Sequence, residues 1–427
     1  MWSYDAGMTE KKGEARIVEA NRQQTRLVMM DLEEWLPADH QARAIWAFVE
    51  RLDMSDFLAR IEAREGSAGR PATDPRILLG LWIMATADGV GSARELERLC
   101  GLHIAYQWMC GGVSVNYHTL SDFRSLSSDM LKGLLKQTVT ILIDGGLVEM
   151  KRVAQDGMKV RAWAGAGSMR RRQRLKELKV IVDEQVETLS REIGSDPAAG
   201  TRREASARKR AAADRKQRIE QAIQQMDEAE ERKESNNGKK KTEARVSTTD
   251  AECRVMKMPD GGFRPAYNIH LVTDAGRAGA IVAVKVDNKG TDLHAMDPLA
   301  EQIEQMFEAK PCDWLADGGC SSLGNIDKMA KRGCKVYSPL RPRRNTTKQP
   351  HEPRPGDSEA VREWRSRMNI EEAKQIYKKR GALAEWVNAH LRAQGLYQVL
   401  VRGTRKVLSV ALLHAITHNA KRNLAFV

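Results

Sequence analysis

No run of apolar residues in this 427-residue chain approaches the roughly 20 needed to cross a bilayer, and the opening MWSYDAGMTEKKGEAR lacks the charged-then-apolar order of an export signal. These absences exclude a membrane span and predict a soluble, unexported, cytoplasmic chain. Cysteine is sparse: Cys100, Cys110, Cys253, Cys312, Cys320 and Cys334 are scattered without a C-x-x-C pair, which argues against a disulfide framework or a zinc ribbon and for reduced thiols. His414 and His418 stand four apart, but no glutamate of an H-E-x-x-H pattern lies between them, so packing or a nucleic-acid contact explains them better than zinc. Acidic residues are outnumbered, 57 against 70 lysines and arginines, for a net charge of +13. Such an excess favours a polyanionic partner, because neutralised phosphates release their condensed counterions.

What is present divides the chain. Residues 1–20 read as a frayed tail and 21–147 as an all-helical domain of the kind that places a helix in a DNA groove. In that domain Asp74 and Pro75 occupy the N-cap and first-turn positions of a buried helix. Ser92 with Glu95, and more weakly Thr119 with Asp122, read as capping boxes. From Lys151 the pattern turns to strands. RVAQDGMKVRAWA (152–164) is β-like, FRPAYNIHLVTD and AIVAVKVD form a hairpin, CDWLADGG a short buried strand and CKVYSPL another. Helices are expected near 292–308, with Asp292 as N-cap, then near 322–332, 359–394 with a possible break, and 405–424. Asp250 and Asp274 read as turn or strand-end residues.

Two polar segments interrupt this order. Residues 168–245 carry 21 lysines and arginines against 15 acids, with apolar stripes at helical spacing on either side of GSDPAAG, and read as an antiparallel helical hairpin. The stretch 341–357 holds Pro342, Pro350, Pro353 and Pro355 and reads as a basic loop.

With the hairpin set aside, the order is three strands, helix, strand, helix, strand, helix. This is the order of a ribonuclease-H-like α/β fold, a mixed sheet flanked by helices, here spanning 148–427. Such a sheet sets its first strand parallel to its fourth, which brings Asp156 and Asp317 to one edge, where a carboxylate from the last helices can close a site. Three carboxylates suffice to bind two hard cations that clamp the attacking and leaving oxygens of a phosphodiester.

At this point the sequence resembles the DDE transposases of bacterial insertion sequences, the insertion-sequence-four and -five superfamily. QDGMKVRAWA resembles the first-aspartate motif D-G-T-K-I-R-A-N-A, STTDAECRVMKMPDGGFRPAYN the S-T-T-D…G-Y-N segment, and WLADGGCSS the A-D-A-G-Y motif of the second aspartate. IYKKRGALAEWVNAHLR resembles the tyrosine–arginine–glutamate–lysine signature, LLHAITHNAKRNL the closing helix, and DPRILLGLWIMATADGVGSARELERLC…HTLSDFR the helical entry domain. The resemblance implies a transposase that cleaves DNA and transfers strands at the inverted-repeat ends of an element, with two Mg²⁺ (or Mn²⁺) held by Asp156, Asp317 and Glu385. It further implies DNA contacts from Lys159, Arg161, Tyr377, Arg380 and Arg392, with terminal-repeat and target DNA as partners and a homodimer or larger assembly to join two ends. A catalytically silent repressor descended from such an enzyme is the alternative.

Three departures stand out. Cys320 replaces the usual tyrosine, Met158 a threonine, and four residues rather than three separate Arg380 from Glu385. On an uninterrupted α-helix the last turns Arg380 about 140° from the carboxylate instead of about 40°. A local break at Gly381 is expected to absorb it.

Overall fold

The computed structural model describes residues 31–426 except 65, 67–69, 126–127, 196–198, 236–242 and 341–348. The expected tail at 1–20, the tip of the 168–245 hairpin and residues 341–348 of the 341–357 loop lie outside the described residues.

Helices run through the first third of the chain: α1 (Gln41–Glu50), α2 (Ser55–Ala59), α3 (Pro75–Ala87), α4 (Ala93–Leu102), α5 (Ile104–Cys110), α6 (Tyr117–Arg124) and α7 (Ser128–Asp144). Helix α3 begins as its sequence predicts, with Asp74 accepting a hydrogen bond from Arg76 N and Pro75 in the first turn. Ser92 caps α4 by accepting from Glu95 N. Helix α6 starts earlier than the Thr119–Asp122 pattern suggests. Asn116 is the cap, and its side chain accepts from Thr119 N, so Thr119 lies in the first turn.

Strand β1 (Arg152–Arg161) opens the sheet as one ten-residue strand without the turn its sequence allowed. The hairpin insertion leaves through β2 (Met169–Arg170), forms α8 (Arg172–Ser195) and α9 (Ala199–Ser235), and returns through β3 (Val246–Ser247). β2 and β3 pair antiparallel, so the two long helices leave and rejoin the body at one clamped base. Arg172 tightens that base by donating to Glu230 and Asp227, over a small core of Leu175, Ala222 and Met226. Farther out, Lys216 pairs with Asp183, which sets the two helices antiparallel.

Strands β4 (Arg254–Lys257), β5 (Phe263–Asp274) and β6 (Ile281–Asp287) follow, then α10 (Met296–Phe307), β7 (Asp313–Ala316), α11 (Leu323–Lys331) and β8 (Lys335–Tyr337). The sheet order is β6-β5-β1-β7-β8, with β4 also pairing the start of β5. β5 is antiparallel to β1 and β6, whereas β7 is parallel to both β1 and β8. The last ten residues of β5 are all buried. Successive side chains in a strand face opposite ways, so such a run requires cover on both faces.

The chain ends with α12 (Glu359–Arg367), α13 (Glu371–Arg380), a π-helical turn (Gly381–Glu385), α14 (Trp386–Ala393) and α15 (Thr404–Leu424). Helix α15 is buried almost all round and packs on α3, α7 and β6. Its Asn419 grips β6, accepting from Ile281 N at 2.8 Å and donating to Ile281 O at 2.9 Å. One hydrophobic core thus runs from Leu36 in the helical region, through the sheet, to Ala420. Among the described residues all six cysteines are free, and no helix is long and apolar enough to cross a membrane.

Candidate active site

Parallel pairing of β1 with β7 builds the site. Gln155 pairs with Ala316, so one step further along each strand lie Asp156 and Asp317, about 4.8 Å apart at the backbone by the spacing of neighbouring strands. β7 stops at Ala316 while β1 runs on to Arg161, leaving a notch beside β1. Asp317 turns at the mouth of that notch, with its Oδ1 accepting from Gly319 N at 2.7 Å and Cys320 N at 3.0 Å.

Asp156 faces the late helices. Its Oδ1 accepts from Arg380 Nη2 at 2.8 Å and from Gly157 N at 3.0 Å, and its Oδ2 from Asn388 Nδ2 at 2.7 Å. Burial pushes the Asp156 carboxyl above its usual range, opposed by the Arg380 guanidinium and the Gly157 N–H and reinforced by the negative charges of Asp317 and Asp292. Burial works against the Arg380 charge as well, but Asp156, Tyr377, Asp317 and Cys320 together outweigh it and the guanidinium is held above its ordinary value.

The π-helical turn resolves the spacing anomaly. Its i→i+5 closure takes up the extra residue between Arg380 and Glu385, so both stay on one side, with Arg380 Nη1 3.9 Å from Glu385 Oε1. Gly381 sits beneath the Glu385 carboxylate, where a Cβ would come within 3.8 Å of it. Arg380 therefore lies between Asp156 and Glu385. The Glu385 side chain is 70% exposed, unlike the other two carboxylates. Tyr377 is half-buried beside Arg380, and burial pushes its hydroxyl up. Arg392 is exposed on α14, Lys159 half-buried on β1, and Arg161 exposed at the strand end, where its backbone joins Tyr397 and Val399.

The other side of β1 holds Asn268 and His270, which the sequence did not single out, and Asp292, which it read as an N-cap. Asp292 does not cap a helix: α10 begins four residues later at Met296, its N-cap is Ala295, and no side chain caps it. Instead the Asp292 carboxylate lies over Gly157, close enough that a Cβ there would sit 2.4 Å from Oδ1. Asn268 donates to Asp292 Oδ1 at 2.6 Å, and the His270 ring stands 3.6 Å from it. Ligand atoms of Asp292, Asp317 and Cys320 all lie within 4.8 Å of one another. Only the Y-N-I-H alternation on β5, which puts Asn268 and His270 on one face, hinted at this arrangement. Asn388, three residues past Glu385 on the same helical side, was the more legible omission.

The donor set fits a hard divalent cation. Burial, together with the charges of Asp317 and Asp292, pushes the Cys320 thiol far up, while the carboxylates around the notch offer the oxygen ligands that hard cations prefer. Several buried polar atoms beside the notch lack hydrogen-bond partners, among them Arg380 Nε, Asn388 Oδ1 and Asn268 Oδ1. A charged group with its water would satisfy such atoms. The histidines of α15 take no part: His418 Nε2 pairs with Gly279 O at 3.0 Å, and burial pushes both His414 and His418 down to about 4. Trp314, next to the second aspartate, is core and donates to Gln155, while Trp163 is exposed. A groove of about 730 Å³ lies elsewhere, between α2, α3 and α6, and no carboxylate lines it.

Comparison with known families finds the one described as "Transposase domain" over residues 30–126 and the one described as "Transposase DDE domain" over residues 242–419. The second match begins after the two long helices of the hairpin, so it spans Asp292, Asp317 and Glu385 but not Asp156. No curated protein and no solved structure matches the chain.

Proposed function

The chain belongs to the DDE transposases of insertion sequences, and from that premise we propose that it cleaves DNA at the inverted-repeat ends of an element and joins those ends to a target. The observation that carries this reading is the parallel register of β1 and β7, which sets Asp156 and Asp317 side by side at the end of a short strand. The order β6-β5-β1-β7-β8, antiparallel on one side of β1 and parallel on the other, supports a ribonuclease-H-like fold for 148–427 with the 168–245 hairpin inserted.

In this reading Asp156, Asp317 and Glu385 hold two divalent cations, Mg²⁺ or Mn²⁺. When bound, such cations polarise the scissile phosphate and lower the pKa of the attacking water or 3′-hydroxyl. Arg380 shields Asp156 from repulsion by its acidic neighbours and lends positive charge to the rim of the notch. Asn388 fixes the second oxygen of Asp156, so the carboxylate presents one orientation. Exposed Arg392 and Arg161, with Lys159 and Tyr377, offer contacts to DNA, Arg392 reaching a phosphate as a planar fork. The helical region at 21–147 contributes further DNA binding, supported by Arg60 and Arg70 on the wall of its groove. Two DNA ends must be held together, which calls for a homodimer or larger assembly acting in the cytoplasm.

A labelled terminal-repeat duplex incubated with the full chain and Mg²⁺ tests this. Cleaved and joined products are expected, and Asp156→Asn or Asp317→Asn should abolish both while gel shifts show that end binding persists. Native-level cleavage by either variant overturns the assignment.

A further inference from the structure

We propose that Asp292 is a fourth carboxylate of the cation site, aimed at it by Asn268 and His270; this rests on the metal-dependent reading above and extends its ligand set. Four observations converge on it. First, carboxylate oxygens of Asp292 and Asp317 approach within 4.8 Å across the notch, a separation that a shared cation can bridge. Second, Gly157 has no left-handed backbone that would call for glycine, yet a Cβ there would meet Asp292 Oδ1 at 2.4 Å. The bare Cα is what lets this carboxylate settle against the strand that carries Asp156.

Third, two wholly buried side chains of β5 point at Asp292. Asn268 donates to it at 2.6 Å with its own Oδ1 left partnerless, and His270 turns Nδ1 towards it at 3.6 Å and Nε2 towards Asp287 at 3.3 Å, neither in hydrogen-bond geometry. Partnerless buried polar groups are costly, and a cluster of them facing a carboxylate indicates a missing charged neighbour. Fourth, among the described residues no lysine or arginine pairs with Asp292 or Asp317, whereas Asp156 has Arg380. A half-buried pair of like charges without a counter-charge is unfavourable unless a cation joins it. The ordinary alternative, a carboxylate that only anchors the segment before α10 to β5, leaves the fourth observation without a cause.

The test is Mn²⁺ binding by the full chain, followed by electron paramagnetic resonance titration and by the rise in Tm on adding Mn²⁺. Asp292→Asn is expected to weaken Mn²⁺ binding by about tenfold or more, with native circular dichroism and native binding to terminal-repeat DNA. Asp292→Cys is expected to gain thiolate-to-cadmium absorbance with Cd²⁺ beyond that of the native chain, since a softer ligand prefers the softer ion. A native Mn²⁺ isotherm for Asp292→Asn, alongside a lost one for Asp317→Asn, overturns the role of Asp292 and leaves the cation site standing. Native isotherms for both Asp156→Asn and Asp317→Asn overturn the cation site itself, and this proposal with it. Should Asp292→Asn fail to fold, Gly157→Ala is used instead, because its Cβ must displace the Asp292 carboxylate; there too a native isotherm overturns the proposal.

Discussion

The two sides of β1 treat their carboxylates in opposite ways. On the side of the late helices, Asp156 is fully engaged: Arg380 and Asn388 take its two oxygens, and the site is held closed by internal charge. Across the notch, Asp292 and Asp317 face each other with an amide, backbone N–H groups and a histidine that also stands against Asp287 around them. One side carries its own counter-charge, and the other has no lysine or arginine paired with it among the described residues. In the proposed site, a cation entering the notch would meet a prepared half and a half in which it must compete with Arg380 for Asp156 Oδ1.

Removing the carboxylates of the notch is expected to have the largest effect. Asp156→Asn and Asp317→Asn should lower end cleavage by roughly 10²–10³-fold or more, the scale seen when a group that stabilises a charged transition state is lost. Chelation of divalent ions in the native protein should give the same loss on a labelled terminal-repeat substrate. Equal activity with and without chelator would sink the cation-dependent side of the contrast.

Arg380→Ala separates the two halves. Without cation, it leaves Asp156 buried and unpaired, a change that costs about 3–5 kcal/mol when a buried pair is broken. The expected outcome in a thermal melt is a large drop in Tm that Mn²⁺ restores further than it raises the native protein. If Mn²⁺ gives Arg380→Ala no more than its native effect, Arg380 and the cation do not share Asp156.

A smaller effect tests the ground on which both halves stand, helix α15. Burial holds His414 and His418 down to about 4, against an ordinary value near 6.5. Between those values the unfolded chain binds more protons than the folded one, so stability is complete above pH about 6.5 and falls as pH drops towards 4. His414 Nδ1 has no hydrogen-bond partner, so His414→Leu should flatten the slope of Tm against pH over that range. An unchanged slope would mean that His414 is not held neutral.

The mildest change concerns the π-helical turn. Removing Ala382 should convert it to an α-turn with three residues between arginine and glutamate, keeping both on one side. Cleavage should stay within a few-fold of native, with Tm equal or higher. A collapse of cleavage would show that the π turn itself, rather than the alignment it preserves, matters for the site.

Much of this was legible beforehand for physical reasons. Strand order follows from local patterns of period two and 3.6, and the parallel neighbouring of β1 and β7 follows from that order, so Asp156 and Asp317 could be paired across 161 residues of chain. The extra residue after Arg380 predicted a break at Gly381, and the break takes the form of a π turn. Asp292 was misread because a carboxylate ahead of an amphipathic run looks like a cap. Whether it caps or faces a site depends on where the chain turns into the helix, and here that turn comes four residues later. Asn388 and Asn268 escaped notice because a buried amide on a helix or strand carries no distinguishing pattern.

Sequence alone determined the element order and the split between the helical first third, sheet and inserted hairpin, and resemblance to the DDE transposases added three candidate carboxylates to it. These are consequences of periodicity, turn chemistry and residue type, which are local properties of a chain. Tertiary structure decided which carboxylates are neutralised from within and which are left facing one another. That outcome depends on register, on the early end of β7 and on a missing Cβ at Gly157, because electrostatic compensation is fixed by distances of a few ångströms between residues that lie far apart along the chain.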